Sequence, residues 1–331
     1  MKPGLGTAAL WAALLIFPLA VAGLPSAPFL QDVGSTVVLT AISACAWNII
    51  GGYAGQVSVG HSIFFGTGAY MSLAVFGLWQ LPPVAGVPLG VAAAVLLALL
   101  IGAPTFRLQG HYFSMATIAV AELIRLTVGN WDLFGAAIGI QGPATPRSGW
   151  DLIYRSAVPY YYIDLGVLAL VIATTAWMAG GRFGFYLRAI RSDERAARSL
   201  GVPVRRVKLL ALMLSAAFTA VAGSLYALKV GFVNPESGLG ILVSVQMIIT
   251  AALGGAGTLY GPVLGSIILV PLQSASNSWL GGGGSGLTYI LYGGIIMLLA
   301  RFEPGGLLQF WRRGVPWLRR RLRGGRAADA A

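Results

Sequence analysis

The sequence has 331 residues, 57% of them hydrophobic and only 10% charged, with a mean hydropathy of +0.79. A soluble domain carries about 25% charged residues, so too few remain here to coat a soluble fold of this length. The net charge of +12 does not point to nucleic acid, because the basic residues fall in a few short segments beside apolar runs, the distribution of a membrane protein with its cations on one side.

A membrane-crossing helix needs about 20 mostly apolar residues. Candidate spans run over 5–23, 34–50, 62–79, 86–106, 110–128, 160–179, 209–228, 238–253, 262–276 and 286–300. The expected fold class is therefore all-α, a polytopic transmembrane helical bundle of about ten spans. The first span also resembles a secretory signal peptide, with Lys2, an apolar stretch to Ala22 and small residues at Pro25-Ser26-Ala27. A retained helix is favoured because the stretch is long for such a peptide; cleavage would leave nine spans without changing any later orientation. Cys45 is alone in the chain, so it forms no internal disulfide and reads as a small buried hydrophobe.

Of the 22 Lys and Arg residues, eight lie between Arg182 and Lys208 and eight between Arg301 and Arg326. With a cytoplasmic N-terminus, ten spans place both clusters, Arg107 and the C-terminus in the cytoplasm, as the positive-inside rule requires. The loop 129–159, where Asp132 and Asp151 offset Arg147 and Arg155, then lies outside. The expected division is a transmembrane domain over 1–300 and a basic cytoplasmic tail over 301–331. Spans two to five and seven to ten start in opposite directions, which suits an inverted-repeat transporter.

The polar loop 182–208 reads RFGFYLRAIRSDERAARSLGVPVRRVK. Ser192 is a candidate helix cap with Asp193 and Glu194 in the first turn, and Gly201 and Pro203 end the helix. Ala196, Ala197 and Gly201 would give a small-residue face open to close approach. The loop could rest its arginines on anionic lipid or dock against another protein. It resembles the EAA loop of ABC importer permeases, the helix that docks on the ATPase subunit. Ala196-Ala197, three residues, then Gly201 fits that pattern, although Arg195 stands where the family has Glu and Glu194 is displaced by one. The resemblance implies that Arg191, Asp193, Glu194, Ala196, Ala197, Gly201 and Val202 serve coupling.

Two glycine-rich stretches, NIIGGYAGQVSVGHSIFFGTGAY over 48–70 and GGAGTLYGPVLG over 254–265, interrupt the helical pattern after the second and eighth spans. Irregular backbone at membrane depth must be buried in protein or line a wet cavity. In the first stretch Tyr53, Gln56, Ser58 and His61 either line a translocation path or cap broken helix ends. Taken in order with the loop, these stretches closely resemble the branched-chain amino acid permease family of ABC importers, which includes urea and amide relatives. That resemblance implies a bacterial inner-membrane importer. Its parts would be a second, homologous permease subunit, two cytoplasmic ATPases holding ATP-Mg, and a substrate-binding protein outside.

The chain itself lacks a P-loop: its lysines are Lys2, Lys208 and Lys229, none preceded by glycine. No cofactor is therefore expected on this chain. Glu122 and Arg125, at i, i+3 in the fifth span, form a structural or pathway ion pair. His61 and His111 lack cysteine partners and make no metal site, and no nucleophile–base–acid set suggests catalysis. The tail from Trp311 reads either as an interfacial segment on anionic lipid or as a topology-fixing extension. A stand-alone secondary transporter or channel is the rival reading, disfavoured by the scarcity of ionisable residues in the spans.

Overall fold

The computed structural model describes residues 5–108, 110–143, 152–279 and 293–294. Its helices are α1 (Leu5–Val21), α2 (Ala27–Asn48), α3 (Ser62–Trp79), α4 (Gly86–Thr105), α5 (His111–Gly129), α6 (Ala157–Gly180), α7 (Arg182–Ser192), α8 (Glu194–Ser199), α9 (Val204–Val230), α10 (Pro235–Leu239), α11 (Ile241–Gly254) and α12 (Gly261–Trp279). Among the described residues, 7 helical segments are long and apolar enough to cross a membrane. The fold is thus an all-α polytopic bundle, but the count of ten is not reached. α1, at 17 residues, is about 25 Å long against a hydrocarbon core of about 30 Å. α12 closes in the polar run Gln273 to Ser278 and is not apolar enough over a full span. The expected tenth span and the basic tail lie outside the described residues, apart from 293–294.

α2 starts seven residues earlier than the apolar pattern suggests, taking in Gln31 and Asp32. It also ends later, because Ile49–Tyr53 continue it as a π-helical turn. The expected break at Gly51 and Gly52 therefore moves to the irregular stretch Ala54–His61.

Small residues set how closely the central helices approach. A Cβ on Gly223 of α9 would collide with the Phe65 carbonyl of α3, and one on Gly68 of α3 with the Ala220 carbonyl of α9. Ser224 donates to the Gly68 carbonyl at 3.0 Å across the same seam. α4 joins at Gly90, whose Cβ position lies 3.0 Å from the Gly68 Cα. Small residues at helix seams let backbones reach van der Waals contact in a medium that supplies little hydrophobic drive between helices.

The two ends of the bundle differ chemically. At one end Ile140–Gln141 pairs antiparallel with Phe232–Val233, and an Asn234–Ser237 capping box opens α10. At the other end three arginines cap helix C-termini. Arg188 donates to the Ala179 carbonyl of α6 at 3.0 Å, Arg191 to Gly52 after α2 at 2.6 Å, and Arg205 to Ala103 of α4 at 2.7 Å. A helix C-terminus leaves carbonyls unpaired and carries partial negative charge, so a guanidinium stabilises it twice over. The arginines of the 182–208 loop hold this end of the bundle together.

Candidate coupling and translocation site

The 182–208 loop folds into two helices rather than one. α7 buries Gly184, Leu187 and Ile190 against the bundle and leaves Phe185 exposed. The chain then breaks at Asp193, which has extended backbone. Asp193, not Ser192, caps α8: its Oδ1 accepts from the Arg195 N–H at 2.7 Å and the Ala196 N–H at 2.9 Å. Ser192 donates back to the Arg188 carbonyl instead, at 3.1 Å. Gly201 ends the segment with φ +82°, a conformation that a side chain disfavours.

Hydrogen bonds from the Ala196 and Arg195 amides hold the Asp193 carboxyl below the usual carboxylate range. Its folded pKa thus lies below its unfolded value of about 3.9. The cap's contribution is fully present above that unfolded value and fades as pH falls through the depressed folded one. Asp193→Ala should speed amide hydrogen exchange over 195–199 at neutral pH and leave α9 protected; equal exchange in both proteins would mean that the cap adds nothing.

α8 turns its small residues two ways. Ala196 is exposed, but Ala197 is only 2% exposed and packs in the chain's own core. The small-residue face expected from Ala196, Ala197 and Gly201 is therefore split, and the outward surface is Ala196, Leu200 at 83% exposure, Gly201 and half-buried Val202. Glu194 points back to the bundle. It pairs with Arg198 at 3.2 Å and with Lys208 of α9 at 2.5 Å, a lysine only 1% exposed. The Lys208 ammonium also lies 5.9 Å from the centre of the Phe106 ring, a cation–π contact.

The irregular stretch after α2 is mostly packed inside. The Gln56 amide closes the π-turn on the Ile50 carbonyl at 3.1 Å, and its side chain is half-buried. Tyr53, Ser58 and His61 are buried at 6%, 2% and 0% exposure. His61 bridges Ser58 at Nδ1 (3.0 Å) and Ser215 of α9 at Nε2 (2.8 Å). Ser215 already donates its proton to the Ala46 carbonyl at 2.6 Å. It can therefore only accept from His61, so a neutral ring carries its proton on Nε2 and accepts from Ser58 at Nδ1. Trp47 Nε1 donates to the Ser58 carbonyl at 2.8 Å, so three elements are stitched through this stretch.

A cavity of about 220 Å³ lies elsewhere, between α2, α3, α9, α10 and α11. Thr36, Thr40 and Ser43 line it from α2, and Tyr226, Ser237 and Gln246 from the opposing helices. Leu39, Phe65, Val243 and Met247 supply an apolar complement. None of Tyr53, Gln56, Ser58 and His61 lines it, nor do Glu122 and Arg125. The cavity's polar residues stand in four helices, α2 and the consecutive α9 to α11, and no local motif announces them.

Charges ring the end of the bundle nearest the Phe232–Val233 strand. Arg125 holds Glu122 through Nε (2.9 Å) and Nη2 (2.5 Å) and reaches Glu236 of α10 at 3.1 Å. The pair is thereby tied to a distant part of the chain. Lys229 pairs with Asp32 at 3.0 Å and donates to Thr36, on the cavity wall, at 3.0 Å. Asp164 of α6, absent from the residues that the sequence singles out, is 2% exposed and accepts from Ser35 at 3.3 Å. A lone acid inside the apolar 160–179 run is the signal that marks it. Among the described residues no group of three His, Cys, Asp or Glu could hold a metal ion.

Residues 30–300 match the profile of the family described as branched-chain amino acid transport system, permease component. The chain is 29% identical over 309 residues to the high-affinity branched-chain amino acid transport system permease protein LivM of Escherichia coli, covering 85% of this chain and 70% of that protein. BraD of Pseudomonas aeruginosa, a permease of the same description, is 24% identical over 83% of this chain and 92% of its own. The autoinducer 2 import system permease LsrC of Yersinia pseudotuberculosis is 27% identical over 56% and 54%. The solved complex of PsaBC from Streptococcus pneumoniae with a Fab superposes at a TM-score of 0.46 and 19% identity, covering 88% of this chain and 95% of that one. That score is too low to assign a fold.

Proposed function

The chain belongs to the family of branched-chain amino acid transport system permease components, and on that premise we propose that it imports a branched-chain or closely related amino acid through the α2–α11 cavity, driven by ATPases that grip α8. Permeases of this family are multi-pass bacterial inner-membrane proteins and not themselves catalytic; energy and solute capture belong to ATPase and substrate-binding partners. The observation that carries the proposal is α8, a short capped helix that with α7 fills the loop between the membrane-length α6 and α9, with Ala196 and the following Leu200 exposed. Leu200, Ala196 and Gly201 give this segment a low-relief, partly apolar outward surface, and small residues permit close approach by a partner's groove.

The cavity fits the proposed cargo by chemistry. Hydroxyl and amide groups on its walls can replace water around a zwitterionic head, and Leu39, Phe65, Val243 and Met247 can meet an aliphatic side chain. Tyr53, Ser58 and His61 brace the wall without touching the solute, and Gln56 closes the α2 terminus. Glu122–Arg125–Glu236 clasps α5 to α10 as a structural device. The complete assembly would hold about ten spans per permease in an inverted repeat, both termini in the cytoplasm and the basic tail on anionic lipid. A homologous second permease, two ATPases binding ATP-Mg and an external binding protein would complete it.

Mild detergent extraction of the tagged chain should bring down ATPase subunits. Gln246→Leu should lower leucine uptake per assembled complex a few-fold to about tenfold, the effect of one hydrogen-bonding group worth about 0.5–1.5 kcal/mol. A chain that purifies alone and transports leucine alone would sink the ATP-driven reading. An unchanged per-complex rate would remove Gln246 from the route.

A further inference from the structure

Three stretches, the outer two of them 209 residues apart at Asn48 and Gly257, meet at one side chain. Arg191, at the end of α7, donates from Nη1 to the Gly52 carbonyl at 2.6 Å. Its Cγ lies 3.0 Å from the Cβ position of Gly55, and its guanidinium occupies the Cβ position of Gly257. Both glycines have left-handed backbone, φ +69° and +83°, so the arginine lies against bare main chain on both sides. Asn48, 1% exposed, locks the same junction: its Oδ1 accepts from the Gly257 N–H at 2.7 Å and its Nδ2 donates to the Thr258 carbonyl at 2.9 Å. The end of α2 and the turn between α11 and α12 thus form one unit, and Arg191 is its contact with α7.

We propose that Arg191 is the residue through which movement of α8 reaches the translocation cavity, a transmission role distinct from docking the ATPase. This deepens the reading of α8 as the grip of the ATPases and rests on it. Arg191 and the α8 cap Asp193 are two residues apart, so little slack separates them. The guanidinium ends on backbone rather than on a flexible side chain, in a charge-assisted hydrogen bond. The receiving element is a π-turn, Ile49–Tyr53, a helical form that carries an extra residue per turn and recurs at functional sites. Ser43, Thr40 and Thr36 lie about two to four turns back along the same helix, on the cavity wall. A shift of the π-turn rotates or slides that wall. Glu194–Lys208 separately fastens α8 to α9, so loss of Arg191 leaves the docking helix anchored.

The test uses the whole importer in proteoliposomes, with the partner binding protein and radiolabelled leucine. Arg191→Met should raise the ATP hydrolysed per leucine imported about tenfold, the factor expected for one charge-assisted hydrogen bond, and Arg191→Lys should recover part of it. A purely structural or docking role would lower hydrolysis and uptake together and leave that ratio unchanged, overturning the proposal. A second measurement does not depend on yield. With Cys45 replaced by Ala, Thr40→Cys should change its thiol labelling rate when the ATPases are trapped with vanadate, and Arg191→Met should abolish that change. A labelling change that survives Arg191→Met overturns the transmission role. A chain without Arg191 substitutions that retains no ATPase overturns the permease reading itself.

Discussion

Glu194→Ala is expected to destabilise the fold by about 3–5 kcal/mol, the cost of stranding a buried charge whose partner is removed. The stranded charge is Lys208, 1% exposed on α9, which gives up its 2.5 Å partner. Its ammonium then keeps only the face of the Phe106 ring, worth about 0.5–2 kcal/mol. Glu194→Ala/Lys208→Met should recover most of the loss, because an apolar side chain of similar length suits the site once no charge needs an answer. Lys208→Met alone leaves Glu194 one-fifth exposed beside Arg198 and should cost less than Glu194→Ala. Thermal unfolding in detergent, followed for all three proteins, gives the double-mutant cycle. Equal midpoints for Glu194→Ala and the unsubstituted chain would show that α8 is not held to α9 by this pair.

That pair also shows where the sequence stops being legible. Membrane-length apolar runs, a polar loop crowded with arginine and a glycine at its end are local features. Helices stand over those runs among the described residues, with α2 displaced at both ends, while Gly201 ends the α8 segment. The arginines read locally as a topology signal, and their second role depends on non-local partners. Arg191 meets Gly52 139 residues away, and Arg205 meets Ala103 102 residues away. The early start of α2 has the same origin. Asp32 interrupts the apolar pattern and argues against a span there, yet Lys229, brought to it by α9, pairs with it. Ala197 reads as a surface residue from its neighbours in sequence, because a six-residue helix does not reveal which of its sides α9 and α7 will cover. The cavity is least legible of all, since its walls come from five helices and its polar residues are individually ordinary.

His61→Ala separates scaffold from pathway in the stretch after α2. The imidazole is fully buried, meets the Phe64 ring edge-to-face at 5.4 Å and joins Ser58 to Ser215. Its removal leaves a ring-sized void, about 3–5 kcal/mol by analogy with other large buried side chains. Ser215 keeps its bond to the Ala46 carbonyl, but the Ser58 hydroxyl loses its acceptor, an unsatisfied group costing about 1–3 kcal/mol. The void partly collapses and the terms overlap, so a total near 3–5 kcal/mol is the expected result, seen as a low yield of folded protein. Each complex that does assemble should still import leucine at the unsubstituted rate, because His61 does not line the cavity. His61→Gln, whose amide can donate to one serine and accept from the other, should fall between the two in yield. A normal yield with a reduced per-complex rate would reverse the assignment and place His61 on the path of the solute.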